Sequence, residues 1–309
     1  MPDKHSLINV KEEDILNLTP KLEKLVCVTS SGVQSSIVGY NLLGIGNQMA
    51  HITAAMMISE SASKDIKLVG YPPIQIGKPS KKAFFRTLCS RSNFCMTWSR
   101  SLEYRIWTKM GEGLHLYDNR KNVLYLNADI LNGRLFKSLI AQNTSRLTDY
   151  YRKAASLFGL DLANISQWRE DSIGVHIRLG DFARGQIGER YIGQAICRNN
   201  SPPLDYFRLA LKRVEPCKLV IYSDESTKVI KKIIRFLEIS NSTKVEVVSP
   251  YMSGLRTLYL MSRHRVLVQA NSTLSTAASI ISKSKAIVPI DCSPWGIHKL
   301  LNNFCEINL

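Results

Sequence analysis

The chain has 309 residues, 45% hydrophobic and 21% charged, a globular composition that excludes a disordered tail, a collagenous chain or a coiled coil as the whole. The length points to one large domain or two of roughly 150 residues each, and two is the starting expectation. Lys and Arg number 41 against 25 Asp and Glu, so the net charge of +16 suits an anionic partner: nucleotide, nucleic acid or membrane surface.

The N-terminal MPDKHSLINVKEED is polar and lacks the apolar region of a signal peptide. Lys24 to Ser30 (KLVCVTS) predicts a first strand, and G-I-G-N-Q at Gly44 to Gln48 predicts a glycine-bearing loop that feeds an apolar helix through Ala50, Ala54, Met57 and Ile58. Leu25 to Ser59 carries no Asp, Glu, Lys or Arg, yet Asn41, Gly44, Gly46, Asn47, Gln48 and His51 interrupt it, so it reads as strand, loop and helix rather than a membrane span. Lys64 to Met110 is the densest basic stretch. Its Lys78, Lys81, Lys82, Arg86, Arg91, Arg100 and Arg105 stand among Phe84, Phe85, Phe94 and Trp98. That mixture suits a single-strand nucleic-acid groove or a solvated helix face over buried aromatics; no zinc-finger spacing or RNP-type motif supports the nucleic-acid case. Ile66 to Val69 and Val123 to Asn127 are further strands, and one long helix is expected from about Arg134 to Phe158.

The second half alternates more regularly. Ser172 to Arg178 (SIGVHIR), Lys218 to Tyr222 (KLVIY), Val245 to Val248, Arg265 to Gln269 (RVLVQ) and Ala286 to Ile290 predict five strands. Helices at Pro203 to Val214, after the N-cap Ser226, at Gly254 to Ser262 and at Thr273 to Ser282 separate them. This alternation requires a parallel sheet covered on both faces, a Rossmann-like domain. The expected fold is therefore α/β with two Rossmann-like domains, residues 1–165 and 166–309. The seven cysteines form no C-x-x-C pair, so a disulfide framework and a structural zinc site are both disfavoured and a reducing compartment is the default.

In open parallel sheets the ligand sits beyond the carboxyl ends of the strands, and the polar residues of this chain gather there. After SIGVHIR come Leu179, Gly180 and Asp181, and His176, Arg178 and Gly180 alternate with Ile177 and Leu179. A guanidinium matches two phosphate oxygens, although a salt bridge between Arg178 and Asp181 accounts for the same pair. KLVIY ends in Ser223, Asp224 and Glu225, where a carboxylate could accept from a ribose hydroxyl or a guanine edge, or simply cap the next helix. RVLVQA ends in Asn271, Ser272 and Thr273, followed by Ser275; hydroxyls with free N–H groups at a helix start form an anion site without metal, or an ordinary N-cap. G-I-G-N-Q departs from G-x-G-x-x-G, which disfavours a nicotinamide cofactor. Walker lysine, H-E-x-x-H, G-x-S-x-G and D-x-D motifs do not occur.

Taken in order, G-I-G-N-Q-M with its alanine-bearing helix, V-H-I-R-L-G-D-F, Y-S-D-E and N-S-T-L-S-T-A-A-S resemble the four signatures of glycosyltransferase family 11, the α-1,2-fucosyltransferases, and more distantly those of the α-1,6 and protein O-fucosyltransferases. The resemblance runs from about Leu43 to Ile290. It implies a GT-B-like fold, GDP-fucose as donor, inversion at the anomeric carbon, no metal and no further cofactor. The expected acceptor is a galactose-type hydroxyl of a glycan or lipid-linked oligosaccharide. Carried over, Arg178 holds the donor β-phosphate, and Gly46, Asn47, His176, Ser223, Asp224, Asn271, Ser272, Thr273 and Ser275 complete the donor site. Asp181, expected to orient Arg178 or its loop, and Glu189 are the carboxylates considered for the acceptor proton, the alternative being an arginine-dominated mechanism with no dedicated carboxylate base. Leu179 stands where the family pattern has a second basic residue, leaving another GDP-sugar open. Thr276 and Ala277 replace a frequent aromatic pair, which loosens the acceptor. Location is expected to be cytoplasmic or peripheral to a membrane, Golgi for an atypical eukaryotic member, with the positive surplus facing anionic lipid and no nucleic acid.

Overall fold

The computed structural model describes residues 7–28, 45–63, 66–69, 115–126, 130–131, 134–160, 169–178, 202, 204–250, 252–289 and 294–307. The chain divides into two compact units, Met1–Leu160 and Asp161–Leu309. Each is a Rossmann-like α/β unit, as the alternating pattern requires.

In the first unit, strands β1 (Leu7–Val10), β2 (Lys24–Val28), β3 (Ile66–Val69), β4 (His115–Asp118) and β5 (Val123–Leu126) form a sheet of order β1-β4-β5-β2-β3. β5, β2 and β3 run parallel, whereas β4 and β1 add an antiparallel edge that the apolar periodicity did not predict. The β4–β5 turn is built by its side chains: Asp118 Oδ1 accepts from the N–H groups of Arg120 (3.1 Å) and Lys121 (3.3 Å), and Tyr117 donates to Asn122 Oδ1 at 2.7 Å. One helical turn, α1 (Ile15–Leu18), precedes β2. Helix α2 (Ile45–Ala62) buries Met49, Ala50, Ile52, Ala54, Ala55, Met57 and Ile58, so it is apolar nearly all round and lies in the unit's core.

The single long helix expected over Arg134 to Phe158 is two helices, α3 (Arg134–Gln142) and α4 (Leu147–Leu157). Polar side chains break it. Asn143 Nδ2 donates to the Leu139 carbonyl at 2.9 Å and Thr144 Oγ1 to the Ile140 carbonyl at 3.1 Å, while Asn143 leaves helical geometry at ψ 23°. Such local bonds offer the backbone an alternative to the helix. A 3₁₀ turn at Thr144–Arg146 then redirects the chain, and α4 packs against α2.

The second unit contains β6 (Arg169–Ile177), α5 (Leu204–Val214), β7 (Lys218–Ser223), α6 (Thr227–Phe236), β8 (Lys244–Val247), α7 (Gly254–Met261), β9 (His264–Val268), α8 (Thr273–Ser282), β10 (Lys285–Pro289) and β11 (Phe304–Ile307). All six strands are parallel in the order β11-β10-β9-β6-β7-β8. β11 lies beyond the five expected strands. Alternate residues Val175, Ile177, Leu219, Ile221 and Val268 point to one face of the sheet, where Phe207, Ala210 and Leu211 of α5 and Ile230 and Ile233 of α6 cover them. Helices α7 and α8 follow the reversal of strand order. With right-handed crossovers they cover the opposite face. There the small buried residues Ser275 to Ser279 let α8 approach closely.

Between those layers lies a polar clamp. Gly174 of β6 has no room for a side chain: a Cβ would stand 2.7 Å from His264 Cδ2 and 2.8 Å from Leu267 Cδ1. The His264 ring is held at both nitrogens, by Ser172 Oγ at 3.1 Å and Tyr222 OH at 2.7 Å, and all three residues are buried. Glycine is required here for close approach rather than for backbone freedom.

Candidate active site

The chain leaves β6, builds β7 and β8 on one side, then crosses to the other side for β9 and β10. The gap between the carboxyl ends of β6 and β9 is therefore the switch point of the second unit, the place where open α/β sheets bind ligands. His176 and Arg178 end β6, Ser223 and Asp224 end β7, and Asn271 to Ser275 follow β9. The sheet thus brings three of the sequence-predicted clusters to one edge.

His176 pairs in register with Tyr222 and is only 5% exposed. Its Nδ1 has no hydrogen-bond partner among the described residues. Burial pushes its pKa down from 6.5 to about 4; the nearby Asp224 carboxylate opposes the shift, and the Arg178 guanidinium reinforces it. The imidazole is therefore neutral near pH 7, with a cation and a carboxylate as electrostatic neighbours. Arg178 is half-buried and Asp224 exposed. Ser223 Oγ accepts from the Glu225 N–H at 3.2 Å, forming the turn that presents Asp224.

At the start of α8, Ser272 is the N-cap: its extended backbone (φ −142°) lets Oγ accept from the Leu274 N–H at 3.3 Å. The Ser275 hydroxyl turns back to the Ser272 carbonyl at 3.1 Å, so its expected contribution to anion binding falls to the backbone. Helix geometry leaves the N–H groups of Thr273 and Ser275 without intrahelical acceptors. They sit at the positive end of a ten-residue helix, where partial charge favours an anion.

One contributor to this edge is not evident from motif reading. Gln269, at the end of the β9 run, is fully buried. Its Oε1 accepts from Thr276 Oγ1 at 3.2 Å, its Nε2 donates to Ser279 Oγ at 2.7 Å, and its N–H donates to the Ile287 carbonyl at 2.9 Å. The amide ties the first two turns of α8 to β9 and β10. The sequence signal was an amide closing an apolar strand, with hydroxyls seven and ten residues later.

The remaining predicted residues are not among the described residues of this edge. Gly46 and Asn47 belong to the first turn of α2 in the first unit, Gly46 buried and Asn47 half-buried, not to a loop preceding the helix. Asp181 and Glu189, the two expected acid–base carboxylates, fall outside the described residues, as do Leu179 and the basic run from Lys78 to Arg105.

Fold and strand-end chemistry together define an α/β chain of two Rossmann-like units, one of them doubly wound with its polar residues at the switch point. No protein-family model matches the sequence, and no curated protein matches it. Among solved structures, the chain is similar to the E. coli heptosyltransferase WaaC with ADP: 10% identity over 92% of this chain and 93% of that one, TM-score 0.42. It is also similar to the NodZ α-1,6-fucosyltransferase co-crystallised with GDP (12% identity, 83% and 91% coverage, TM-score 0.38) and to POFUT1 in complex with GDP (12%, 89% and 75%, TM-score 0.31).

Proposed function

We propose that the second unit binds the diphosphate of a nucleotide sugar and that the chain is a glycosyltransferase, in the narrower reading an inverting α-1,2-fucosyltransferase that takes GDP-fucose. The observation that supports this reading is that Arg178 and the N-terminus of α8 follow the carboxyl ends of the adjacent strands β6 and β9. The four ordered motifs narrow the donor to GDP-fucose.

In the proposed reaction an acceptor hydroxyl oxygen attacks the anomeric carbon of the sugar. The bond from that carbon to the β-phosphate oxygen breaks, and its electron pair stays on the departing diphosphate. The Arg178 guanidinium and the Thr273 and Ser275 N–H groups meet that growing charge, a role that fixed donors can fill without a metal ion. The acceptor proton passes to a carboxylate, for which Asp181 and Glu189 are the proposed candidates. His176 and Asp224 face the nucleoside side of the donor, the first as a neutral hydrogen-bonding ring and the second as an acceptor for ribose or guanine.

Transfer from GDP-fucose to galactosides, measured with wild type and Arg178→Ala, tests the reading. Loss of one charge-stabilising donor lowers turnover about 10² to 10³-fold. Wild-type turnover in the variant would overturn the role of Arg178. Thermal stabilisation by UDP and not by GDP would overturn the guanine-based donor, and a panel of GDP-sugars separates fucose from the alternatives that Leu179 leaves open.

A further inference from the structure

A second surface is the solvent-facing layer that α5 and α6 form over one face of the second unit's sheet. We propose that the solvent-facing layer made by α5 and α6 docks this unit onto an anionic phospholipid bilayer. Helix α6 buries Ile230 and Ile233 in the core, which fixes its opposite side toward solvent. That side carries Lys228, Lys231, Lys232 and Arg235, all exposed. Their spacing of three, one and three residues places the four cations on a single stripe about 10 Å long. The sequence of α6, TKVIKKIIRF, contains no carboxylate.

Among the described residues the stripe is uncompensated by its surroundings as well. Ion pairs of this unit join Arg208 to Asp205 and Glu238, Lys212 to Glu238, and Lys218 to Glu246. Among the described residues none reaches an α6 cation. Among the described residues, carboxylates thus pair with Arg208 and Lys212 of the neighbouring helix and with no cation of α6, although like charges on one helix face repel. α5 covers the same face of the sheet and packs against α6, so the outward sides of the two helices form one layer. α5 adds the exposed Arg213 and, one turn before it, Leu209, whose side is 39% exposed.

This chemistry selects a bilayer over a nucleic acid. A single-strand groove needs open aromatic faces for base stacking. Here Tyr206 and Phe207 are buried, and the Arg208 guanidinium lies 5.8 Å over the half-buried Phe236 ring. An exposed leucine among cations suits the boundary between headgroups and acyl chains. Among the described residues no helix is long and apolar enough to cross a membrane, and the proposed attachment needs none.

Co-sedimentation of the full chain with phosphatidylcholine vesicles, with and without phosphatidylserine, tests the proposal. Binding is expected only to the mixed vesicles and is released by high salt, with each cation contributing about fivefold to partitioning. Lys231→Gln/Lys232→Gln should therefore lower partitioning about thirtyfold. Arg265→Gln/Lys285→Gln removes two exposed charges from the strand starts of the same unit and should leave partitioning nearly unchanged. Four results overturn the proposal: equal binding to neutral vesicles, no binding to either vesicle, equal losses in the two variants, or RNA binding lost in Lys231→Gln/Lys232→Gln while vesicle binding persists. The substituted side chains are exposed, so unchanged circular dichroism separates lost docking from lost fold. The readout needs no sugar transfer and is independent of the donor reading.

Discussion

Replacing Gly174 with alanine perturbs the centre of the second unit by a single methyl group. The methyl would meet His264 Cδ2 at 2.7 Å, Leu267 Cδ1 at 2.8 Å and His264 Cγ at 3.0 Å. Leu267 can yield by rotating, but the imidazole cannot turn away without breaking its contacts to Ser172 at 3.1 Å or Tyr222 at 2.7 Å. Overpacking of a filled core costs about 1–3 kcal/mol. Loss of one buried hydrogen bond adds about 1 kcal/mol, giving a total destabilisation of about 2–4 kcal/mol. Urea unfolding followed by circular dichroism measures it, and a loss below about 0.5 kcal/mol would refute the reasoning. A double-mutant cycle isolates the cause. In a His264→Ala background the ring is gone, so Gly174→Ala should cost less than about 1 kcal/mol; additive penalties would show that the ring is not the obstacle. Because Gly174 lies two residues before His176 on the same strand, displacement of β6 would also carry Arg178 away from the α8 terminus.

Ser272→Ala removes the α8 cap and should cost about 1 kcal/mol of stability while weakening GDP binding. Ser272→Asp keeps an acceptor for the Leu274 N–H but sets a carboxylate where the diphosphate is proposed to sit; thermal shift with GDP should fall in both variants, and stability in the first alone. His176 binds its proton more weakly in the folded chain (about 4) than in the unfolded chain (6.5), so its contribution is full above pH 6.5 and is lost as the pH falls toward 4. Buried His51, whose pKa is lowered to about 3 by burial and by His115, acts in the same direction. Urea midpoints between pH 7 and 4 should therefore decline less steeply in His51→Gln than in wild type, and parallel slopes would contradict it.

The second unit was legible because its strands and helices carry opposite periodicities: SIGVHIR and KLVIY alternate or run apolar, whereas TKVIKKIIRF repeats its isoleucines at helical spacing. β11 escaped because FCEI is too short and mixed to stand out. β1 and β4 escaped because they are antiparallel strands of only four residues with polar residues such as Asn9, His115 and Asp118 among the apolar ones. The α3–α4 break turned on side-chain bonds of Asn143 and Thr144, which compete with a helix that composition alone favours. Arg178, Asp224 and Ser272 stood out as candidates because strand ends concentrate ligand chemistry, and the fold sets all three at or just beyond strand ends. His264 and Gly174 did not, since their importance lies in partners far along the chain: His264 meets Ser172 92 residues away. Gln269 did not either, because no periodicity marks an amide that pairs with hydroxyls seven and ten residues on.

The position of β6 governs how the second unit opens. It is the first of the unit's strands in the chain and the only one of these six flanked by both β7 and β9. Its amides can exchange with solvent only when one of two neighbouring ladders parts, whereas β8 and β11 are edge strands of four residues each. Protection should therefore grade inward, with fraying confined to the rims and the slowest exchange at Val175 and Ile177. His176 and Arg178 are thus anchored in the segment that breathes least, so breathing at the margins need not disturb them.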